Sequence, residues 1–439
     1  MDARPPGLII AAPRSGSGKT LLTLGLMRGF RSAGLAVGGA KCGPDYIDPA
    51  FHAAATGNSS YNLDSWAMPP ALIGALGQAA GEACDLILCE GLMGLFDGVP
   101  EAPGRTGSTA DTAAALSWPV LLVIDVGGQS QTAAALVLGC ASFDRRVKIA
   151  GVVLNRVASA RHDRLVRQSI EALGIPVVGA LPRMEKISLP ERHLGLVQAR
   201  EITDLDKRLD ELADFVCQHV DKAAVKSLAR PSKGTAGPMA AMPLPARRIA
   251  IARDDAFSFI YPHLLGSWRR AGAKVSFFSP LANEPPPEDS DFVWLPGGYP
   301  ELHAKRLSEA GQFFDGLRRL ARQRPVHGEC GGYMVLGERI IDAAGETYPM
   351  ARLLGVSFSF AKRKLQLGYR EARLTVSHPL GEADAILRGH EFHYATIEKN
   401  DPNEQPFALV HDAHGEVQAS GSRRGNVSGS FFHFIAGLS

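Results

Sequence analysis

Two short segments of this chain combine residue types that can do chemistry. The first is Ser15-Gly16-Ser17-Gly18-Lys19-Thr20. Gly16 and Gly18 lack a Cβ, so the amides of Gly16, Ser17 and Gly18 can turn inward around phosphate oxygens. A following helix would add the partial positive charge of its N-terminus. Lys19 would reach the terminal phosphates of ATP, and the Thr20 hydroxyl would ligate Mg²⁺. Pro13 stands where such loops carry their first glycine, and Arg14 adds a cation nearby. The second segment is His327-Gly328-Glu329-Cys330-Gly331-Gly332-Tyr333. Cys330 falls on a sharp turn between a strand and a helix, which exposes the sulfur and draws it toward thiolate. His433, at a late strand end, is the candidate base. Gly297 and Gly298 follow another strand, and their amides could form an oxyanion hole. A phosphate binder activates a poor electrophile, and a cysteine of this kind frees ammonia from glutamine. Together they point to conversion of a carboxylate into a carboxamide.

Metal-assisted phosphoryl chemistry needs carboxylates, and ligands bind at the carboxyl ends of parallel strands. Glu90 directly follows the run Asp85–Cys89 and is the first candidate metal ligand. Asp45 and Asp97 come next, in loops after strands, with Asp48 and Asp125 in similar places. His390 and His393 flank a strand start; substrate contacts or structural hydrogen bonds suit them better than a metal. His193 has no evident mechanistic partner.

The elements that must position these groups are legible as alternating apolar and helical stretches. Strands are expected at 7–12, 35–40, 85–89, 120–125, 149–154 and 177–181, with a helix over 19–33. Continuous apolar strands between helices indicate a buried parallel sheet, hence a doubly wound α/β domain over residues 1–225. Residues 226–246 are small, polar and proline-punctuated and read as a linker. A second α/β domain spans 247–439, with strands at 248–252, 275–278, 292–295 and 325–327. After Cys330 the pattern turns β-rich, with strands at 353–360, 371–376 and 391–396.

Composition sets outer bounds. The chain has 439 residues, 45% hydrophobic and 21% charged, with a net charge of +2. That balance gives no case for nucleic acid or an anionic membrane. No apolar run is long enough to span a bilayer, and the first residues lack a signal-peptide core. Six scattered cysteines without a CxxC pair argue against a disulfide framework or a zinc site and fit a cytoplasmic protein. A homo-oligomer stays open.

With these segments in hand, the chain resembles the corrin-ring a,c-diamide synthases, glutamine-dependent amidotransferases of cobalamin biosynthesis. The likeness runs nearly end to end: Ser15 to Thr20, Gly43 to Pro49, Cys89 to Gly98, Gly151 to Arg156, Arg192 to Leu196, Gly328 to Met334 and Gly389 to Tyr394. It implies a dethiobiotin-synthetase-like P-loop domain followed by a class I glutaminase domain. By this resemblance Asn155 would contact adenine, and Lys19 and Thr20 would serve the phosphates and Mg²⁺. Asp45, Tyr46, Glu90 and Asp97 would face the tetrapyrrole, the nucleotide or the metal. Cys330 would be the nucleophile and His433 its base. The implied reaction uses ATP and glutamine to amidate the a and c carboxylates of hydrogenobyrinic acid through an acyl phosphate. Cobyrinic acid, cobyric acid synthesis, and a P-loop switch ATPase with an inactive glutaminase domain remain as alternatives. The chain departs from common class I glutaminases at two points: Ile435 stands where they carry a glutamate two places after the histidine, and Met334 where they often carry glutamine. What orients His433 is left open.

Overall fold

The computed structural model describes residues 5–183, 190–192, 195–233, 242–412 and 415–438. The chain forms two compact units, Met1–Ala240 and Ala241–Ser439.

The first unit alternates strand and helix: β1 (Pro6–Ala11), α1 (Lys19–Ser32), β2 (Val37–Cys42), α2 (Asp48–Thr56), β3 (Ser60–Leu63), α3 (Pro70–Ala80), β4 (Leu86–Glu90), α4 (Thr109–Leu116), β5 (Val120–Asp125), α5 (Thr132–Phe143), β6 (Ile149–Val157), α6 (Ala160–Glu171) and β7 (Val177–Pro182). The strands lie in the order β3-β2-β4-β1-β5-β6-β7, all parallel. Leu8, Ile9, Ile10, Leu86, Leu88, Leu121 and Val123 are fully buried, as a sheet covered on both faces requires. β1 lies between β4 and β5, so the chain leaves it at the switch point of the sheet, where a crevice opens at the strands' carboxyl ends. Then come the ribbon of β8 (Glu191–Arg192) and β9 (Gly195–Leu196), followed by α7 (Leu205–His219) and α8 (Lys222–Leu228). Gly25 and Gly29, one turn apart on α1, let α7 approach: a Cβ there would meet Val216 at 2.5 Å and the Cys217 sulfur at 2.4 Å.

Two expectations need correction. The second strand begins two residues later than expected, because the Leu35 amide still bonds back to Phe30 at the end of α1. The expected linker starts too early. Asp221 caps α8 by accepting from the Ala224 amide, Val225 is fully buried, and β10 (Arg230–Pro231) pairs antiparallel with β1. Residues 226–231 therefore belong to the first unit; 234–241 lie outside the described residues, as does His193. Strand β3, Ser60-Tyr61-Asn62-Leu63, escaped the sequence reading because it is short and polar at the sheet edge.

The second unit runs β11 (Arg248–Ala252), α9 (Pro262–Arg270), β12 (Lys274–Phe278), β13 (Phe292–Leu295), α10 (Ala304–Ser308), α11 (Gly311–Ala321), β14 (Val326–Glu329) and α12 (Gly331–Leu336). Strands β15 (Arg339–Ile341), β16 (Thr347–Pro349), β17 (Val356–Ser359), β18 (Gln366–Leu374), β19 (Ile386–His393), β20 (Thr396–Asn400), β21 (Ala408–His411), β22 (Val417–Ser420), β23 (Ser422–Arg424), β24 (Val427–Ser430) and β25 (His433–Leu438) complete it. The central sheet is β12-β11-β13-β14-β24-β23, parallel through β24. Two further sheets, β16-β15-β17-β20 and β22-β21-β18-β19-β25, are largely antiparallel. The run expected at 391–396 breaks at Tyr394 and Ala395, so β19 and β20 join different sheets. His433 opens β25 rather than closing a strand. No described helix is long and apolar enough to cross a membrane.

Candidate active sites

In the first unit the loop after β1 wraps the N-terminus of α1. Gly16 (φ 74°) and Gly18 (φ 96°) take left-handed conformations that a side chain disfavours. The Ser17 hydroxyl donates to the Arg14 carbonyl (3.0 Å), which fixes the loop's entry despite Pro13. Lys19 donates from Nζ to the Met93 carbonyl (2.6 Å) and to Arg14 O (3.4 Å). Burial and the Lys41 charge lower its pKa. The Thr20 hydroxyl donates to Glu90 Oε1 at 2.6 Å. The Asn155 amide donates to Ser17 O (2.8 Å), and its oxygen accepts from the Arg156 amide. Both ends of Asn155 are thus spent on the loop and its own strand. Arg14 and Arg156 each reach Asp125 Oδ2 at 2.8 Å, so the carboxylate at the end of β5 gathers two largely exposed guanidinium groups beside the loop.

Glu90 is the hub of this site. Register pairs Lys41 with Glu90 across β2 and β4. Glu90 Oε1 also accepts from Lys41 Nζ (3.1 Å), and Oε2 meets His52 Nε2 (2.9 Å). Lys41 bonds Asp48 at 2.6 Å as well. Burial would push Glu90 up, but the Lys41 charge and the His52 and Thr20 hydrogen bonds outweigh it and hold the carboxyl well below the usual range. Burial opposes the Lys41 charge too, yet Asp48, Glu90 and Asp45 raise its pKa well above the ordinary value, so it stays a cation. Lys41 and His52 were missed from sequence. A lysine within the buried strand Val37-Gly38-Gly39-Ala40-Lys41-Cys42 was the available signal; His52 gave none.

Asp45 and Asp97 do local work here. Asp45 Oδ1 accepts from the amides of Ile47 (2.6 Å) and Asp48 (3.1 Å), ordering the entry to α2. Asp97 Oδ2 accepts from the Gly94 amide (2.7 Å), shaping the turn whose Met93 carbonyl meets Lys19. Tyr46 lies half-buried between Asp45 and α2.

In the second unit Cys330 sits between β14 and α12 with φ 47° and ψ −102°, a strained backbone that a non-glycine residue rarely adopts. Its amide donates to Ser430 O (2.8 Å) at the end of β24. The chain turns there through small residues: a Cβ on Gly332 would fall 1.9 Å from Leu295 O, and one on Gly331 3.0 Å from Gly298 N. The Gly297-Gly298 loop therefore lies against the cysteine turn. A Cβ on Gly297 would meet the His433 ring at 2.5 Å. Cys330, His433, Gly297 and Gly298, far apart in sequence, are brought together by neighbouring strands β13, β14 and β24. Contrary to the exposed, thiolate-leaning sulfur expected from the turn, Cys330 is buried; burial, with the charge of Glu301 next, pushes its thiol up, and burial with His390 and His393 beside it pushes His433 well down.

His390 stacks on His433, ring centroids 4.9 Å apart, and meets the Tyr261 hydroxyl at 3.0 Å. His393 stacks on Phe431 and bonds Ala395 O. No group of three or more metal-ligating side chains occurs among the described residues.

A P-loop carrying an acid-held threonine, joined in one chain to a cysteine elbow with a histidine, defines a glutamine amidotransferase with a nucleotide-binding domain. Residues 8–197 match the CobQ/CobB/MinD/ParA nucleotide binding domain family, and residues 248–438 the CobB/CobQ-like glutamine amidotransferase domain family. The chain is 56% identical over 438 residues to the hydrogenobyrinate a,c-diamide synthase of Mesorhizobium japonicum, covering 99% of each chain. It is 55% identical to that of Rhodobacter capsulatus over the full length of both, and 54% to that of Agrobacterium fabrum over 99% of each. The chain belongs to the hydrogenobyrinate a,c-diamide synthase family.

Proposed function

We propose that the chain amidates the a and c side-chain carboxylates of hydrogenobyrinic acid, spending ATP and glutamine. The names of its relatives support the metal-free ring over cobyrinic acid. The observation that carries the chemistry is the pairing of the Thr20–Glu90 contact below the phosphate loop with the strained Cys330 elbow.

In the first unit Gly16, Ser17, Gly18 and Lys19 would hold the phosphates of ATP, and Asn155 would shape the loop near the adenine. Thr20 and Glu90 are an adjacent, all-oxygen donor pair of the kind Mg²⁺ takes, so they would hold that ion. Bound there, Mg²⁺ would neutralise phosphate charge. Lys19 exchanges the Met93 carbonyl for phosphate oxygen. The substrate carboxylate, near Asp45, Tyr46 and Asp97, attacks the γ-phosphorus and releases ADP. The resulting acyl phosphate is a far better electrophile than a carboxylate. Positioning and charge neutralisation supply most of this rate.

In the second unit Cys330 sulfur attacks the glutamine side-chain carbonyl, with the Gly297 and Gly298 amides on the developing oxyanion. His433 takes the thiol proton and gives it to the departing nitrogen, which leaves as ammonia. Water clears the thioester as glutamate. Ammonia displaces phosphate from the acyl phosphate and leaves the amide.

The test is an incubation with ATP, Mg²⁺, glutamine and either corrin acid, read by product mass. Diamide from hydrogenobyrinic acid is expected. ATP and glutamine consumption with no amide on either acid would overturn the reading.

A further inference from the structure

The two oxygens of Glu90 are bound differently. Oε1 accepts from the Thr20 hydroxyl (2.6 Å) and from Lys41 Nζ (3.1 Å). Oε2 meets His52 Nε2 at 2.9 Å, and the other ring nitrogen, Nδ1, meets the Ser60 hydroxyl at 3.1 Å. His52 and Ser60 are both buried, so the chain itself supplies these bonds. We propose that His52, oriented by Ser60, is the positioning residue of the metal corner of the ATP site: it holds Glu90 by Oε2 and so presents Oε1 beside Thr20.

Three elements converge to make this arrangement. Glu90 closes β4, Ser60 opens β3, and His52 comes from α2, which connects β2 to β3. The Thr56 hydroxyl donates to His52 O (2.9 Å), tying down that turn of α2. Gly39 on β2 lies opposite Ser60 in the β2–β3 register, and the absence of its side chain leaves the room the pair needs. A Cβ there would stand 3.1 Å from Ser60 Oγ and 3.2 Å from His52 Cβ. The direction of each bond follows from the donors. A Glu90 that ligates Mg²⁺ is ionised and only accepts, so His52 Nε2 carries the proton. In a neutral imidazole Nδ1 is then bare and accepts from the Ser60 hydroxyl. Ser60 thus selects the tautomer, and the two bonds together fix the plane of the ring.

The remaining contacts of Glu90 are poorly suited to this task. The Thr20 bond lies on the very oxygens that Mg²⁺ would take. Lys41 divides its ammonium between two acids and lies nearer Asp48 (2.6 Å) than Glu90 (3.1 Å). An ammonium is also a point charge on a flexible stem, whereas the imidazole N–H has a fixed direction. The last torsion of a glutamate is soft, so one anchored oxygen leaves the carboxylate free to turn. A metal ligand has to stay within about 0.5 Å of its place, and ligating carboxylates are commonly held by a hydrogen bond of this kind.

This inference rests on Thr20 and Glu90 being the Mg²⁺ pair, and its test separates the two. The full-length chain is titrated with β,γ-imido-ATP, first in EDTA and then at rising Mg²⁺. His52→Gln keeps an N–H where Nε2 stands, whereas His52→Phe keeps the ring and removes both nitrogens. For His52→Phe the Mg²⁺ concentration giving half of the metal-dependent tightening should rise about 10- to 100-fold, the usual weight of a residue that orients a metal ligand. Affinity for the analogue in EDTA should be nearly unchanged. His52→Gln should recover most of the Mg²⁺ response, whereas a packing role predicts that the ring-retaining Phe is the better of the two. Ser60→Ala should shift the Mg²⁺ midpoint upward by less than His52→Phe does. A Phe chain with the native Mg²⁺ midpoint, one that weakens binding equally in EDTA, or one that outperforms Gln overturns the proposal. If the Phe chain does not fold, the native chain decides: in its ¹⁵N-histidine spectrum the His52 signals, assigned by their loss in His52→Gln, should show a proton on Nε2 and a bare Nδ1, and a bare Nε2 overturns the assignment. Analogue binding by the native chain that does not respond to Mg²⁺ would instead strike the underlying reading.

Discussion

At the scale of single residues, the N-terminal site depends on one buried cation among carboxylates. Lys41 touches Glu90 and Asp48 at once, and all three are buried. Lys41→Met keeps the volume and strands both acids, a change that costs about 3–5 kcal/mol for buried pairs. The chain should therefore unfold at lower denaturant while the isosteric Glu90→Gln is milder; equal, small losses in both would argue against the hub. The same carboxylate gives a pH dependence. Because Glu90 in the folded chain sits below its ordinary value of 4.5, its stabilisation is full above that value and drains away as pH falls below it. Glu90→Gln should flatten the loss of stability in roughly the pH 5 to 3 window, read by urea midpoints at each pH. An unaltered slope would contradict the ion pairing. This hub was not legible in the sequence. Glu90 could be picked out as an acid after an apolar run, but its partners follow from the register that sets Lys41 opposite it and from a helix that returns His52, neither of which spacing reveals.

At the scale of elements, both sites sit where a strand turns into a helix, and glycines permit the turn. Gly18 shows how tight this is: its φ is 96°, and a Cβ would lie 2.3 Å from the Asn155 amide nitrogen. Gly18→Ala should displace the loop from Asn155 and cut ATP-dependent amidation by about 100-fold or more, as small misplacements do. Glutaminase activity without the corrin acid should persist, since the second unit has its own core; loss of both would point to global unfolding instead. The strand–helix alternation was legible because central parallel strands are apolar on both faces. Val120–Asp125, Arg248–Ala252 and Phe292–Leu295 stand where the apolar runs placed them. Edge and antiparallel strands were not, because Ser60–Leu63 is half polar and the segment around Tyr394 continues its pattern across a real break. The end of the first unit was misread for a related reason: Arg230 and Pro231 look like linker by composition, yet their backbone completes the sheet against β1.

At the scale of the whole molecule, the account joins two reactions that need each other. In the proposed reaction nucleotide cleavage makes the electrophile, and glutamine hydrolysis supplies the nitrogen. Lys19→Ala should therefore stop amidation whether glutamine or ammonium is the donor, while glutamate release can continue. Unchanged turnover would remove ATP from the Ser15–Thr20 loop. The most direct measurement is the product mass formed by Cys330→Ser from hydrogenobyrinic acid and ATP, once with glutamine and once with ammonium. The account predicts no amide with glutamine and the a,c-diamide with ammonium. Diamide formed from glutamine, or none formed from either donor by a folded chain, would contradict it.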